Sequence, residues 1–129
     1  MDYLKQKDYW IEASEDDLIS AENIFNSGSY DWALFIAHLS LEKLLKAYFT
    51  YSKKEIPPKV HKLEKIAELA SLEFDENQIK QLKLINEFNI QTRYPDQKKK
   101  FRSICTKEFA EEHIAIIKNL RKWILEKIK

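Results

Sequence analysis

Glycine is almost absent from this chain. Gly28 is the only one in 129 residues, and Pro57, Pro58 and Pro95 are the only prolines. A single glycine excludes the glycine-rich phosphate loops of Walker-type and dinucleotide-binding folds, which need several at fixed spacing. Cys105 also stands alone, so the chain forms no internal disulfide and no thiolate metal framework. Zinc would need more soft ligands than one cysteine and scattered histidines supply. A di-iron carboxylate bundle needs two Glu-x-x-His pairs, and none of the three histidines has a glutamate three residues before it. No serine sits on a recognisable nucleophile elbow, and Cys105 has no activating neighbour in sequence. No apolar run approaches the ~20 residues that cross a bilayer, and the start, Met-Asp-Tyr-Leu-Lys-Gln-Lys-Asp, lacks the apolar segment of a secretory signal. The expectation is a soluble cytoplasmic protein with no membrane contact, no metal and no cofactor. Charged residues are 33% of the chain but nearly cancel, to a formal +1. That balance argues against a global nucleic-acid footprint and leaves room for a local patch.

What the sequence has in abundance is Lys, Glu, Leu, Ile and Ala, the composition of an all-α protein. The length suits one domain spanning residues 1–129. The most informative stretch is Tyr30 to Phe49, which contains no proline or glycine and reads as about five turns of helix. At ~100° per residue its apolar side chains fall almost all the way round, as on a helix enclosed by others. Trp32, Phe35, Leu39 and Phe49 share one flank, and Leu34, Ala37, Leu41, Leu44, Leu45 and Tyr48 cover much of the rest. Within that surround His38, Glu42 and Lys46 recur every fourth residue as one narrow polar stripe. Buried ionisable groups need partners, so the stripe either meets water in a groove or is satisfied internally.

Around this element the chain reads in order. A first helix is predicted from about Asp8 to Asn26, with Trp10, Ala13, Ala21, Ile24 and Phe25 on one face and Asp17 interrupting it. Ser27-Gly28-Ser29 breaks it, Gly28 serving as a left-handed cap and Ser29 or Asp31 capping the central helix. So short a link implies an antiparallel pair. Ile56-Pro57-Pro58 spells a rigid extended connection, and Val60-His61-Lys62-Leu63 opens a short third helix. Asp75 and Gln78 have the spacing of a capping box for a fourth helix running to about Ile90. One face of that helix turns from apolar, Ile79 and Leu82, to polar, Asn86, Asn89 and, if it extends so far, Arg93. Residues 92–102 carry five basic side chains in eleven and read as a non-periodic loop, either simply solvated or a phosphate-facing lip. Thr106 caps the last helix, with Glu108, Glu111 and Glu112 near its positive end. Phe109, Ile116, Ile117, Leu120, Trp123 and Ile124 form the buried face of that helix. His113 lies amid them and has two readings: a core histidine bonded to a neighbour, or a site residue facing the stripe.

Several of these segments, in this order, carry a resemblance. Asp31-Trp32-Ala33, Ala37-His38-Leu39-Ser40-Leu41-Glu42-Lys43-Leu44-Leu45-Lys46-Ala47, Pro57-Pro58-Lys59-Val60-His61-Lys62-Leu63 and Arg93-Tyr94-Pro95-Asp96, closed by a Glu/Ala-rich helix, resemble the HEPN domain (higher eukaryotes and prokaryotes nucleotide-binding) over nearly the whole chain. The resemblance implies an up-and-down bundle of four to five helices, found as a homodimer. It also implies association with a minimal nucleotidyltransferase, separate or fused, and binding of nucleotide or nucleic acid. Glu42, Lys43 and Lys46 match the family's Glu-Lys-x-x-Lys run, His61 its third-helix histidine, and Arg93-Tyr94-Pro95 its Arg-Tyr-Pro. His38 stands where a polar residue, often Gln, is usual. The ribonuclease members carry an arginine four to six residues before a histidine near the start of the last helix. Arg93 and Arg102 both precede His113 by more, so that motif is missing.

The expected ligand-binding residues are therefore His38, Glu42, Lys46, His61, Arg93 and Tyr94. Glu42 and Lys46 have the acid-first order that favours a helical ion pair; the pair either orients Lys46 toward a phosphate or satisfies itself. Arg93 suits a bidentate phosphate contact. Tyr94 suits base stacking or packing beside proline. The leading reading is a non-catalytic nucleotide-, nucleic-acid- or partner-binding module. The alternatives are a ribonuclease toxin of a toxin–antitoxin pair using His61, Arg93 and His113, and a dimeric scaffold or inhibitor with an exposed apolar face.

Overall fold

A computed structural model describes residues 2–128. Among them are six helices and no strands: α1 (Tyr3–Asn26), α2 (Tyr30–Lys53), α3 (Leu63–Leu69), α4 (Glu76–Arg93), α5 (Pro95–Ile104) and α6 (Lys107–Lys127). The all-α bundle is the expected class. α1 and α2 form a long antiparallel hairpin joined at Ser27–Ser29, where Gly28 takes φ +92°, a conformation open to it because it has no Cβ. Ser29 is the N-cap of α2 without a side-chain bond.

α2 is the axis. It touches each of the other five helices, and Leu34, Ala37, Leu41, Leu44, Leu45 and Ala47 are fully buried along it. That burial is the near-continuous apolar surround read from its sequence. A buried polar knot ties α1, α2 and α6. Ser14 donates to the Ser40 carbonyl at 2.7 Å, Ser40 donates back to the Ser14 carbonyl at 2.9 Å, and Arg121 donates to Ser14 Oγ at 3.1 Å and to Glu15 at 2.9 Å. Every polar group in the knot has a partner, as burial requires.

The bounds differ from expectation at four places. α1 begins at Tyr3 rather than near Asp8, because the Asp2 carboxylate accepts from the amides of Leu4 and Lys5 at 3.0 and 3.1 Å, a complete N-cap. α3 begins at Leu63, so His61 and Lys62 belong to the connection 54–62; the Leu63 amide is taken by Asn86 Oδ1 at 3.0 Å. α4 continues past Ile90 to Arg93, started by the expected capping box of Asp75 and Gln78. Residues 95–104, read as loop, are helical. Pro95 is at the first position, Asp96 lies in the first turn, Arg102 in the last, and Phe101 is the one buried residue. A helix of ten residues has weak periodicity and marginal stability alone; docking of Phe101 on Phe88, ring centroids 5.7 Å apart, supplies the missing stabilisation.

Phe88 also meets Phe109 at 6.2 Å and His113 at 5.6 Å, both edge-on, so one ring links α4, α5 and α6. Phe88→Ala is expected to cost about 3–5 kcal/mol in urea denaturation, with early loss of hydrogen-exchange protection in 95–104. A cost below about 1 kcal/mol would show that α5 is held by something else.

Candidate functional site

The polar stripe of α2 faces the connection 54–62 and the C-terminal half of α4. Glu42 is its centre. One carboxylate oxygen, Oε2, accepts from Lys46 Nζ at 3.1 Å and from His61 Nδ1 at 3.1 Å, while Oε1 lies 3.9 Å from His38 Nε2. Lys46 is one turn beyond Glu42 on the same helix, and its ammonium also sits over the Trp10 ring of α1, 5.5 Å from the centroid. His61 arrives from the connection, where Pro57 is buried and anchors the chain. The Glu42 and Lys46 side chains are 8% and 12% exposed, whereas His61 is 69% exposed. The cluster is thus a nearly buried ion pair with one histidine standing at its mouth.

His38 lies deeper, with no exposure. Neither ring nitrogen has a well-formed hydrogen bond among the described residues. Its pKa is lowered to about 4. Burial is the main cause; Glu42 opposes it, the charges of Arg93 and His61 reinforce it, and the Phe35 backbone favours the proton slightly. His38 is a neutral imidazole near neutrality, sealed behind Glu42. Asn89 Oδ1 and Thr92 Oγ1 on α4, and Trp10 Nε1 on α1, are further buried polar atoms without a hydrogen-bond partner.

The mouth opens beside α3 and α4 into a groove of about 400 Å³ whose lining includes His61, Asn86 and a balanced charge set, Lys62 and Lys83 with Glu64 and Glu87. Asn86 is fully engaged, accepting from Leu63 and donating to Glu64. The α4–α5 corner carries the basic side chains. Arg93 covers the Phe35 ring at 5.9 Å and Lys98 the Trp32 ring at 5.0 Å, and Arg102 donates to buried Asp31 at 3.2 Å. Tyr94 is 55% exposed. The structure therefore joins His38, Glu42, Lys46 and His61 directly and reaches Arg93 through its charge on His38, with Tyr94 next to it at the corner.

His113 packs into the core between α4 and α6. It is buried, its Nδ1 donates to the Phe109 carbonyl at 2.8 Å, and its ring packs on Phe109 and Phe88, which is the core-histidine reading. Asp17 is held by Lys43 of α2 at 2.7 Å. Burial, with the Asp31 charge, pushes the Cys105 thiol up to about 12, so it does not act as a thiolate near neutrality. Among the described residues no group of three His, Cys, Asp or Glu is placed to hold a metal ion, and no helix is long and apolar enough to cross a membrane. Sequence reasoning missed Trp10 and Phe35 as ring platforms for Lys46 and Arg93. Nothing in helical spacing separates such rings from core aromatics.

The HEPN domain family pattern matches residues 8–128. The crystal structure of TT1696 from Thermus thermophilus aligns over 95% of this chain and 98% of that one, with a TM-score of 0.78 and 24% sequence identity, a likeness of fold. No curated protein matches the sequence significantly.

The buried imidazole predicts an acid sensitivity whose sign is fixed. Unfolded His38 binds a proton below 6.5 and folded His38 only near 4, so between those values the unfolded state holds more protons and stability falls as pH falls. The loss is about 1.4 kcal/mol per pH unit and about 3 kcal/mol in all. Urea denaturation across this range should show the slope reduced by that amount in His38→Leu. An unchanged slope would place the acid sensitivity in another group.

Proposed function

Because this chain belongs to the HEPN domain family, we propose that it is a non-catalytic binding module whose polar site takes the phosphate of a nucleotide or nucleic-acid strand. The observation that carries this reading is the convergence of Lys46 and His61 at 3.1 Å on one oxygen of a nearly buried carboxylate. A helix and the connection beside it, bringing one nitrogen donor each to the mouth of a groove, have the chemistry of an oxyanion site. Arg93, exposed at the α4–α5 corner, adds a fixed cation with a forked donor geometry. Tyr94 offers an accessible ring for a base. Lys46 and Arg93 against Glu42 leave these three one charge positive, while the adjoining groove balances Lys62 and Lys83 with Glu64 and Glu87, so the excess that favours an anion lies at the Lys46–Arg93 side.

The partner follows from the family resemblance: a minimal nucleotidyltransferase, encoded separately or fused, together with a second copy of this chain. The ribonuclease reading has less support. His113 is packed on Phe88 and Phe109 with Nδ1 bonded to a carbonyl, so of the trio His61, Arg93 and His113 only His61 presents an accessible imidazole for proton transfer.

Titrating AMP and ATP onto the purified protein is expected to give saturable binding, weakened about tenfold or more in Arg93→Ala and in Lys46→Ala, as for loss of a charge-assisted contact. Absence of binding at millimolar nucleotide, or equal affinity in the variants, would overturn the assignment. Incubation with cellular RNA should leave it intact; cleavage abolished by His113→Ala and Arg93→Ala would install the ribonuclease reading instead.

A further inference from the structure

The donors that would greet a phosphate are already occupied. Lys46 Nζ and His61 Nδ1 both end on Glu42 Oε2, and the other carboxylate oxygen faces His38 Nε2 at 3.9 Å. Glu42 has an exposure of 6%, so water does little to compensate its charge and the two donors are its main support. A carboxylate oxygen and a phosphate oxygen ask for the same thing, short charge-assisted N–H bonds from convergent donors. A phosphate brought to Lys46 and His61 therefore competes with Glu42 for them and is repelled by it. The contacts differ in how freely they yield. Lys46 is fixed to α2 and covered by Trp10, whereas His61 is exposed and stands on the non-helical connection 54–62, where its side chain can turn outward without unwinding a helix.

We infer that Glu42 is an internal stand-in for the ligand's anionic group: its carboxylate holds Lys46 and His61 where a bound phosphate oxygen would hold them, and an incoming phosphate must take them from it. The site is thus self-occluded, and affinity is set by the difference between two anions. This inference rests on the phosphate-binding reading above and adds a regulatory residue to it. Anything that draws Glu42 away from Lys46 opens the site, and the protein without ligand keeps its part-buried lysine neutralised.

The test titrates AMP and, separately, inorganic phosphate onto the wild-type chain, Glu42→Gln, Glu42→Gln combined with Lys46→Ala, and Glu64→Gln. Glu64 lines the same groove, and its glutamine keeps an oxygen for the bond from Asn86, so the variant removes an equal charge nearby while the Lys46–His61 contacts stay in place. Glu42→Gln is expected to bind both probes about tenfold more tightly than wild type, the worth of one competing charge-assisted bond. The gain should vanish in the double variant, and Glu64→Gln should stay within about twofold of wild type. Glu42→Gln should also melt below wild type, because a part-buried lysine has lost its counter-ion, and phosphate should raise its Tm more than it raises that of wild type.

Equal or weaker binding by Glu42→Gln beside a binding wild type would overturn the inference alone, making Glu42 a positioning group for Lys46 and His61. A matching gain in Glu64→Gln, or one that survives removal of Lys46, would overturn it as a general charge effect. Failure of every protein to bind either probe would overturn both this inference and the phosphate reading. Should Glu42→Gln fail to fold, Glu42→Asp serves in its place: it keeps the charge and shortens the reach to Lys46 and His61 by one methylene, so tighter binding of both probes supports the same assignment, while equal or weaker binding overturns it.

Discussion

A carboxylate set into the wall of a helical core has to be met by cations or by hydrogen-bond donors, because water cannot reach it. Glu42 imposes that requirement here, and its neighbours are arranged to fulfil it. Lys46 meets it from the next turn of α2, and His61 meets it from a connection that has to pass close to α2 to deliver the ring. The buried Pro57 and the Leu63–Asn86 bond bring the connection to that place. A local ion pair on one helix thereby dictates the course of a segment some twenty residues downstream. An apolar residue at 42 would leave the part-buried Lys46 without a counter-ion and would leave the connection without its polar tie to α2.

The site has an inner and an outer part with different electrostatics. Inside, His38 is fully buried and held neutral chiefly by desolvation, so it adds polarity without adding charge. Outside, Arg93 and Lys98 rest on the faces of Phe35 and Trp32. These rings hold the cations at the surface, where solvent still reaches them, by a contact worth about 0.5–1 kcal/mol at exposed sites. Such cations are restrained but not neutralised, in contrast to Lys46, whose charge is met at short range. Arg102 is different again: its bond to the buried Asp31 makes it structural. The basic stretch 92–102 thus divides between free and committed charge, a distinction that composition alone cannot make.

Much of the architecture was legible because helices announce themselves by period. The enclosed α2, the Ser27–Ser29 break, the capping box at Asp75 and the Thr106 cap all follow from side chains within a few residues of one another. α5 was not legible. Its ten residues bury one side chain, Phe101, and a single buried position carries no period; what makes it helical is a tertiary contact with Phe88. The start of α3 is hidden for a related reason, since Asn86, from another helix, takes the Leu63 amide. At the site, the stripe on α2 could be read from spacing of four, and His61 remains beside it once other chemistries are excluded, a choice the resemblance matches. Its meeting with Glu42 and the roles of Trp10 and Phe35 depend on how separate helices face each other, which no single stretch records.

The scarcity of glycine returns here as a constraint on how the site can respond. Hinge motion needs backbone that can change φ and ψ at low cost, and this chain offers one glycine, in the hairpin turn, while the longest connection carries two consecutive prolines that fix φ. Rigid-body closure of one helix against another has few places to begin. Accommodation of a guest therefore falls to side chains. Lys46 and Arg93 each have several rotatable bonds, and His61 stands outside any helix with two. A site of this kind adapts by exchanging partners around a fixed backbone, and a buried acid that already holds those partners is the physical means by which such an exchange is controlled.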